Sequence, residues 1–182
     1  MIRTTNLSPS EMIQVEGILE ENNMGIEHLS SGRYMTAKKA FRSAILKLRE
    51  FYQQQQRNKD YAIFYSLIIE PKSIPRSPKM KAQSKTHYIY RNALLASIDK
   101  NPPREQDRTN HFCTDLTAIL IFNLCLVYHC STEQYERKLE KTKVLRMYKK
   151  AWDSLKKDSL HHDTIALGIL NNMGALFHDL AK

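Results

Sequence analysis

Cys125 and His129 stand four residues apart, and His161, His162 and His178 follow later in the chain. A thiol and an imidazole at that spacing share one helix face, the placement that a metal-ligand pair or a Cys–His nucleophile requires. The rest of either site is missing from the sequence. Cys130 falls on a different face from Cys125, and there is no H-E-x-x-H run and no paired-carboxylate motif. No glycine-rich loop is present to cradle a phosphate. A small cysteine on an apolar helix is most simply a packing residue. The expectation is therefore no catalytic residue, no metal and no cofactor.

The three cysteines, Cys113, Cys125 and Cys130, are odd in number and lack C-x-x-C spacing, which argues against a disulfide framework or a zinc knuckle and for a reducing compartment. The N-terminus MIRTTNLSPSEM has no apolar core of a secretory signal. The longest apolar run, Leu116–Cys130, contains Asn123 and falls short of the ~20 residues of a membrane span. These features together imply an intracellular protein, cytoplasmic or nuclear, with no membrane partner.

The chain of 182 residues carries 28 Lys and Arg against 19 Asp and Glu, a formal net charge of +9. Eleven of those 28 cations, but only five of the 19 acids, lie in residues 52–110, so the basic excess belongs to the middle of the chain. Only five glycines and six prolines are present, which favours helices over a turn-rich β sandwich.

Ser8-Pro9-Ser10-Glu11 starts a helix: Ser8 caps, Pro9 suits the first helical position and Glu11 completes a capping box. Met12, Val15, Ile18 and Leu19 continue that helix to about Leu29. After a Ser-Ser-Gly-Arg turn, Ala37, Ala40, Phe41, Ala44, Ile45, Leu48 and Phe51 form the apolar face of a second helix, with Lys38, Lys39, Arg42, Lys47 and Arg49 on its outer side. Residues 58–110 lose the helical period. Tyr61–Ile69 and part of Tyr88–Ile98 suit strands, and the three prolines and five cations of Pro71–His87 read as a flexible basic loop. The spacing predicts a two-stranded ribbon with that loop at its tip. Helical pattern resumes at Asp115 along Leu116, Ile119, Leu120, Leu124 and Val127. It continues from about Glu133 with Leu139, Val144, Leu145, Tyr148, Ala151, Trp152 and Leu155. A last helix, capped by Asp163, turns Ile165, Ile169, Leu170, Met173, Phe177 and Leu180 inward.

Part of this pattern repeats. Asn23-Met24-Gly25 with His28 is answered by Asn123-Leu124-Cys125 with Tyr128, and by Asn172-Met173-Gly174 with Phe177. Val144, Tyr148 and Ala151 likewise answer Ala37, Phe41 and Ala44. The sequence resembles the tetratricopeptide family, whose unit is a helix hairpin of about 34 residues that buries its apolar face only by stacking on neighbours. The resemblance implies an all-α solenoid: a first hairpin over 9–57, an insertion over 58–110 with its basic loop at 71–87, a second hairpin over 111–158, and the first helix of a third repeat, or a capping helix, over 161–182. Gly25, Tyr34, Ala37, Phe41, Ala44, Leu124, Tyr128, Tyr148, Ala151, Gly174 and Phe177 are its packing positions. Hairpins that stack across a long insertion require the insertion to project from the stack.

The resemblance also implies a role, that of a non-catalytic scaffold holding a protein or peptide in a groove lined by the first helix of each repeat. Asn23, Asn123 and Asn172 share one phase on those helices. An amide side chain there hydrogen-bonds an extended peptide backbone, or else bonds a neighbouring helix within the stack. Family members that grip the C-terminal carboxylate of heat-shock chaperones use a set of Lys, Asn and Arg in which only Asn123 has a counterpart. Ile26 replaces the first Asn, and Gly168 and Asn172 replace Lys and Arg, which argues against that partner. A second functional class, nucleic-acid association, rests on the basic loop, where each phosphate contact would release a counterion. Its cations lack interleaved aromatics.

Overall fold

The computed structural model describes residues 3–5, 8–57, 61–63, 67–75, 91–98, 112–132, 138–156 and 163–181. In chain order the elements are β1 (Arg3–Thr5), α1 (Pro9–Ser30), α2 (Tyr34–Arg57), β2 (Tyr61–Ile63), β3 (Leu67–Ser73), β4 (Asn92–Ile98), α3 (Phe112–Thr132), α4 (Lys138–Lys156) and α5 (Asp163–Leu180). Among the described residues the protein is mostly helical, with one small antiparallel ribbon and one short parallel strand pair.

Local chemistry fixes both ends of α1. The Glu11 amide donates to Ser8 Oγ at 3.3 Å while the Ser8 amide donates to Glu11 Oε2 at 2.7 Å, closing the capping box ahead of Pro9. At the other end Gly32 takes φ 71°, a conformation that a side chain disfavours. Its amide donates to Leu29 O and that of Arg33 to His28 O, so two terminal carbonyls are satisfied as the chain reverses into α2. The two helices then approach closely because Gly25 has no side chain. A Cβ built there would lie 2.7–2.9 Å from three carbons of the Phe41 ring.

Each helix packs on the next in chain order from α1 to α5, and α2 also packs on α3 across the insertion. One contiguous apolar core runs through them, with Phe41 and Ala44 of α2, Ile119 of α3, Tyr148 of α4 and Ile165 of α5 all buried. Helix α3 is covered on nearly every side, which explains its composition. Its 20-residue stretch Phe112–Ser131 is long and apolar enough to cross a membrane, where the shorter run Leu116–Cys130 was not, but two-thirds of it is buried inside the protein.

Three expectations for the middle of the chain are corrected. The first strand does not run through Tyr61–Ile69: Tyr61–Ile63 pairs in parallel with Arg3–Thr5, and a separate strand, Leu67–Ser73, forms the ribbon with β4. Pro71, Lys72 and Ser73 are therefore strand, not loop. Finally, the insertion does not simply project. Strand β4 lies between α1 and α3 with Ala93 and Leu94 buried, and those helices scarcely touch each other directly. The remainder of the basic segment, residues 76–87, lies outside the described residues, as do His161 and His162.

Candidate functional site

The site is the seat of β4. The antiparallel register pairs Leu94 with Pro71 and Asn92 with Ser73, and the ribbon bond from the Ile74 amide to Arg91 O fixes which pairs exchange hydrogen bonds. Counting by alternation from Ile74 and Arg91, Leu94 and Pro71 form a non-hydrogen-bonded pair, so the amide and carbonyl of Leu94 point away from β3. Proline is compatible with that place in an edge strand because no ladder donor is needed from it. It also leaves Leu94 with two polar groups to satisfy in the interior, where an unpaired group costs roughly 1–3 kcal/mol.

Two asparagines satisfy them. The Leu94 amide donates to Asn123 Oδ1 at 2.8 Å, and Asn123 Nδ2 donates back to Leu94 O at 2.9 Å. The side chain of Asn123 thus stands in for the neighbouring strand that β4 lacks on this edge. Asn22 Nδ2 donates to the same carbonyl at 3.1 Å, and Asn22 Oδ1 accepts from Asn123 Nδ2 at 2.9 Å, tying α1 to α3 both through the strand and directly. Both asparagines are fully buried. Ala93 and Ala96 flank the clamp, small enough to let the backbone approach the helices, while Leu94 supplies the bulky anchor.

The expected asparagines divide. Asn123 bonds the backbone of the chain's own β4 and also the side chain of Asn22 on the neighbouring helix α1. Asn172 is fully buried but takes the other alternative: its Nδ2 donates to the hydroxyl of Tyr148 on α4 at 3.0 Å. Asn23 is only half-buried and accepts a long 3.3 Å bond from its neighbour Asn22, which occupies the clamp instead. The identical tetrapeptides Asn22-Asn23-Met24-Gly25 and Asn171-Asn172-Met173-Gly174 suggest the wrong register by one residue, and one residue on a helix is a turn of about 100°. A better signal lies six residues on. His28, His129 and His178 each follow a buried asparagine, Asn22, Asn123 and Asn172, at that interval.

The packing positions divide the same way. Gly25, Ala37, Phe41, Ala44, Leu124, Tyr148 and Ala151 are buried, and Tyr34 packs on the core from its edge. Tyr128 is half-buried, its hydroxyl accepting from Arg42 Nη2 at 3.3 Å and its ring lying 4.3 Å from Lys38 Nζ. Gly174 is exposed with no atom near the place of its absent Cβ, and Phe177 is 48% exposed. Leu170, expected inside, is 46% exposed, and Met24 lies outside as well. The buried stripe of α5 is Ile165, Gly168, Ile169, Asn172 and Leu176, because that face meets α4.

Cys125 and His129 are both buried on α3. Burial pushes the Cys125 thiol well above its ordinary value, and burial with the nearby Asp115 carboxylate pushes Cys113 up to about 11. Both are protonated and poorly nucleophilic at neutral pH. Burial, reinforced by Arg91, lowers His129 to about 4, so its ring is neutral, stacked edge-on at 6.0 Å from Tyr148. Among the described residues no three His, Cys, Asp or Glu side chains converge on a common metal position, and no disulfide joins the cysteines. Comparison with protein-family models, with curated proteins and with solved structures finds no match to this chain.

Proposed function

We propose that this protein is an intracellular, non-catalytic scaffold of tetratricopeptide type, which presents the groove between its first helices to a partner protein or peptide. The observation that carries the reading is the capture of an extended backbone by Asn22 and Asn123. Two amides on adjacent first helices, both fully buried, hold one residue's N–H and C=O. That chemistry recognises a peptide main chain with little regard to its side chains, and specificity then falls to the surfaces that meet those side chains. The positions of Gly25 and Phe41 support the same family, a small residue in one helix receiving an aromatic from the next.

The test is recovery of partners from cell extract, with nuclease and without, by the intact chain and by a chain lacking residues 76–87, which keeps Ser73 and the buried Ile74 of the ribbon. Protein partners retained by both chains and resistant to nuclease are expected. Recovery that needs the basic segment and disappears with nuclease would replace the scaffold by a nucleic-acid reader.

A further inference from the structure

We infer that β4 is a ligand in cis: the Asn22–Asn123 clamp is a binding site for an extended peptide, and the chain's own Asn92–Ile98 occupies it until a competing segment of like chemistry takes its place. The inference deepens the scaffold reading and rests on it, since it states how access to that groove is controlled.

Four observations carry it. The clamp bonds only main-chain atoms of Leu94, so nothing in those bonds is particular to this strand. The seat buries Leu94 fully, with the small Ala93 before it, Ala96 two places after it and Leu95 half-buried against the core between them. That defines the ligand class as an extended peptide of the pattern Ala-Leu-x-Ala with an apolar x. Among the described residues the ribbon carrying β4 has two strands, and such a pair is marginal without a support. Its other strand adds less: β3 has no fully buried residue, and only its half-buried Leu67 and Ile69 pack on the core. The ribbon's attachment therefore concentrates in β4 and Ile74, and an incoming strand that reproduces Ala-Leu-x-Ala reproduces most of it. The outer edge of β3 is a poor alternative docking place, because Pro71 interrupts its outward-facing donors.

The test uses the full chain and a fluorescent synthetic peptide spanning residues 90–99. Wild-type protein should bind it weakly, since the competent state is only the fraction with β4 displaced. Leu94→Pro removes the donor that Asn123 accepts, and Leu94→Gly removes the anchor side chain. Either variant, shown helical by circular dichroism, should bind the peptide at least roughly tenfold tighter than wild type. Adding Asn123→Leu to the same variant should abolish that binding. A folded variant that gains no affinity, or a gain that survives Asn123→Leu, overturns the inference. Hydrogen exchange on the unmodified protein decides independently of whether the variants fold. The Leu94 amide should exchange through local opening, faster than amides in the middle of α3. Exchange only at the rate of global unfolding means that β4 never vacates the site, and the inference falls. These readings need no natural partner, so they fail separately from recovery in extract.

Discussion

Asn123 meets Leu94 with both ends of its amide, and each end has a distinct consequence. Asn123→Ala leaves the Leu94 amide without its acceptor and Asn22 Oδ1 without its donor, two buried groups at once. A loss of about 2–4 kcal/mol in urea-unfolding free energy is expected. Asn23→Ala, one residue along and half-buried, should stay within about 0.5 kcal/mol. The glycines of the two identical tetrapeptides give a second contrast. Gly25→Ala drives a methyl to within 3 Å of the Phe41 ring and should cost about 1–3 kcal/mol through overpacking. Gly174→Ala meets open space on an exposed helix face and should stabilise by roughly 0.5–1 kcal/mol. Paired thermal melts of the two variants check the opposite signs. Equal effects would mean that the helices sit in the register suggested by the shared tetrapeptide.

At the scale of elements, α5 shows how one helix sequence is compatible with two faces. Leu167, Leu170 and Phe177 form an apolar stripe beside the stripe of Ile165, Ile169 and Leu176 that α4 covers. Leu176→Ala should therefore cost about 2–5 kcal/mol, and Phe177→Ala under 1 kcal/mol, when both are unfolded in denaturant. The Lys149 ammonium, 5.7 Å from the Phe177 ring, adds only a weak surface contact. A large loss for Phe177→Ala would show that this stripe is covered in solution. The ribbon makes the complementary point, since β4 is core and β3 mostly surface although both are seven residues long and each carries several apolar side chains.

For the whole molecule, His129 links stability to pH. Its neighbours come from three directions: Arg91 just before β4, Lys141 on α4 and Asp179 on α5. Burial outweighs the favourable carboxylate and holds the folded value near 4, below the ordinary 6.5. The unfolded chain therefore binds the proton first. Stability is fully present above pH 6.5 and declines as the pH falls towards about 4, by on the order of 3 kcal/mol at most. Urea midpoints measured between those limits should fall steadily with acidification. A flat profile would place His129 in contact with water.

What the sequence determined alone is local or periodic. The capping box of Ser8 and Glu11, the Gly32 reversal and the faces of α2 and α4 follow from residues within a few positions of one another, because helix ends and amphipathic stripes depend on near neighbours. Of the small, aromatic and amide residues that repeat in the first two hairpins, Gly25, Phe41, Asn123 and Tyr148 are buried, while Tyr128 is only half-buried. Only tertiary structure decided the rest. Asn22 rather than Asn23 faces β4 because helix rotation is set by how Gly25 seats Phe41, and a single residue's rotation moves a side chain to another face. Which stripe of α5 is inner depended on where α4 lay. That β4 is buried depended on meeting Asn22 and Asn123 across long stretches of chain, and no pattern within Asn92–Ile98 announces that encounter: its burial comes from two helices that its own sequence does not encode.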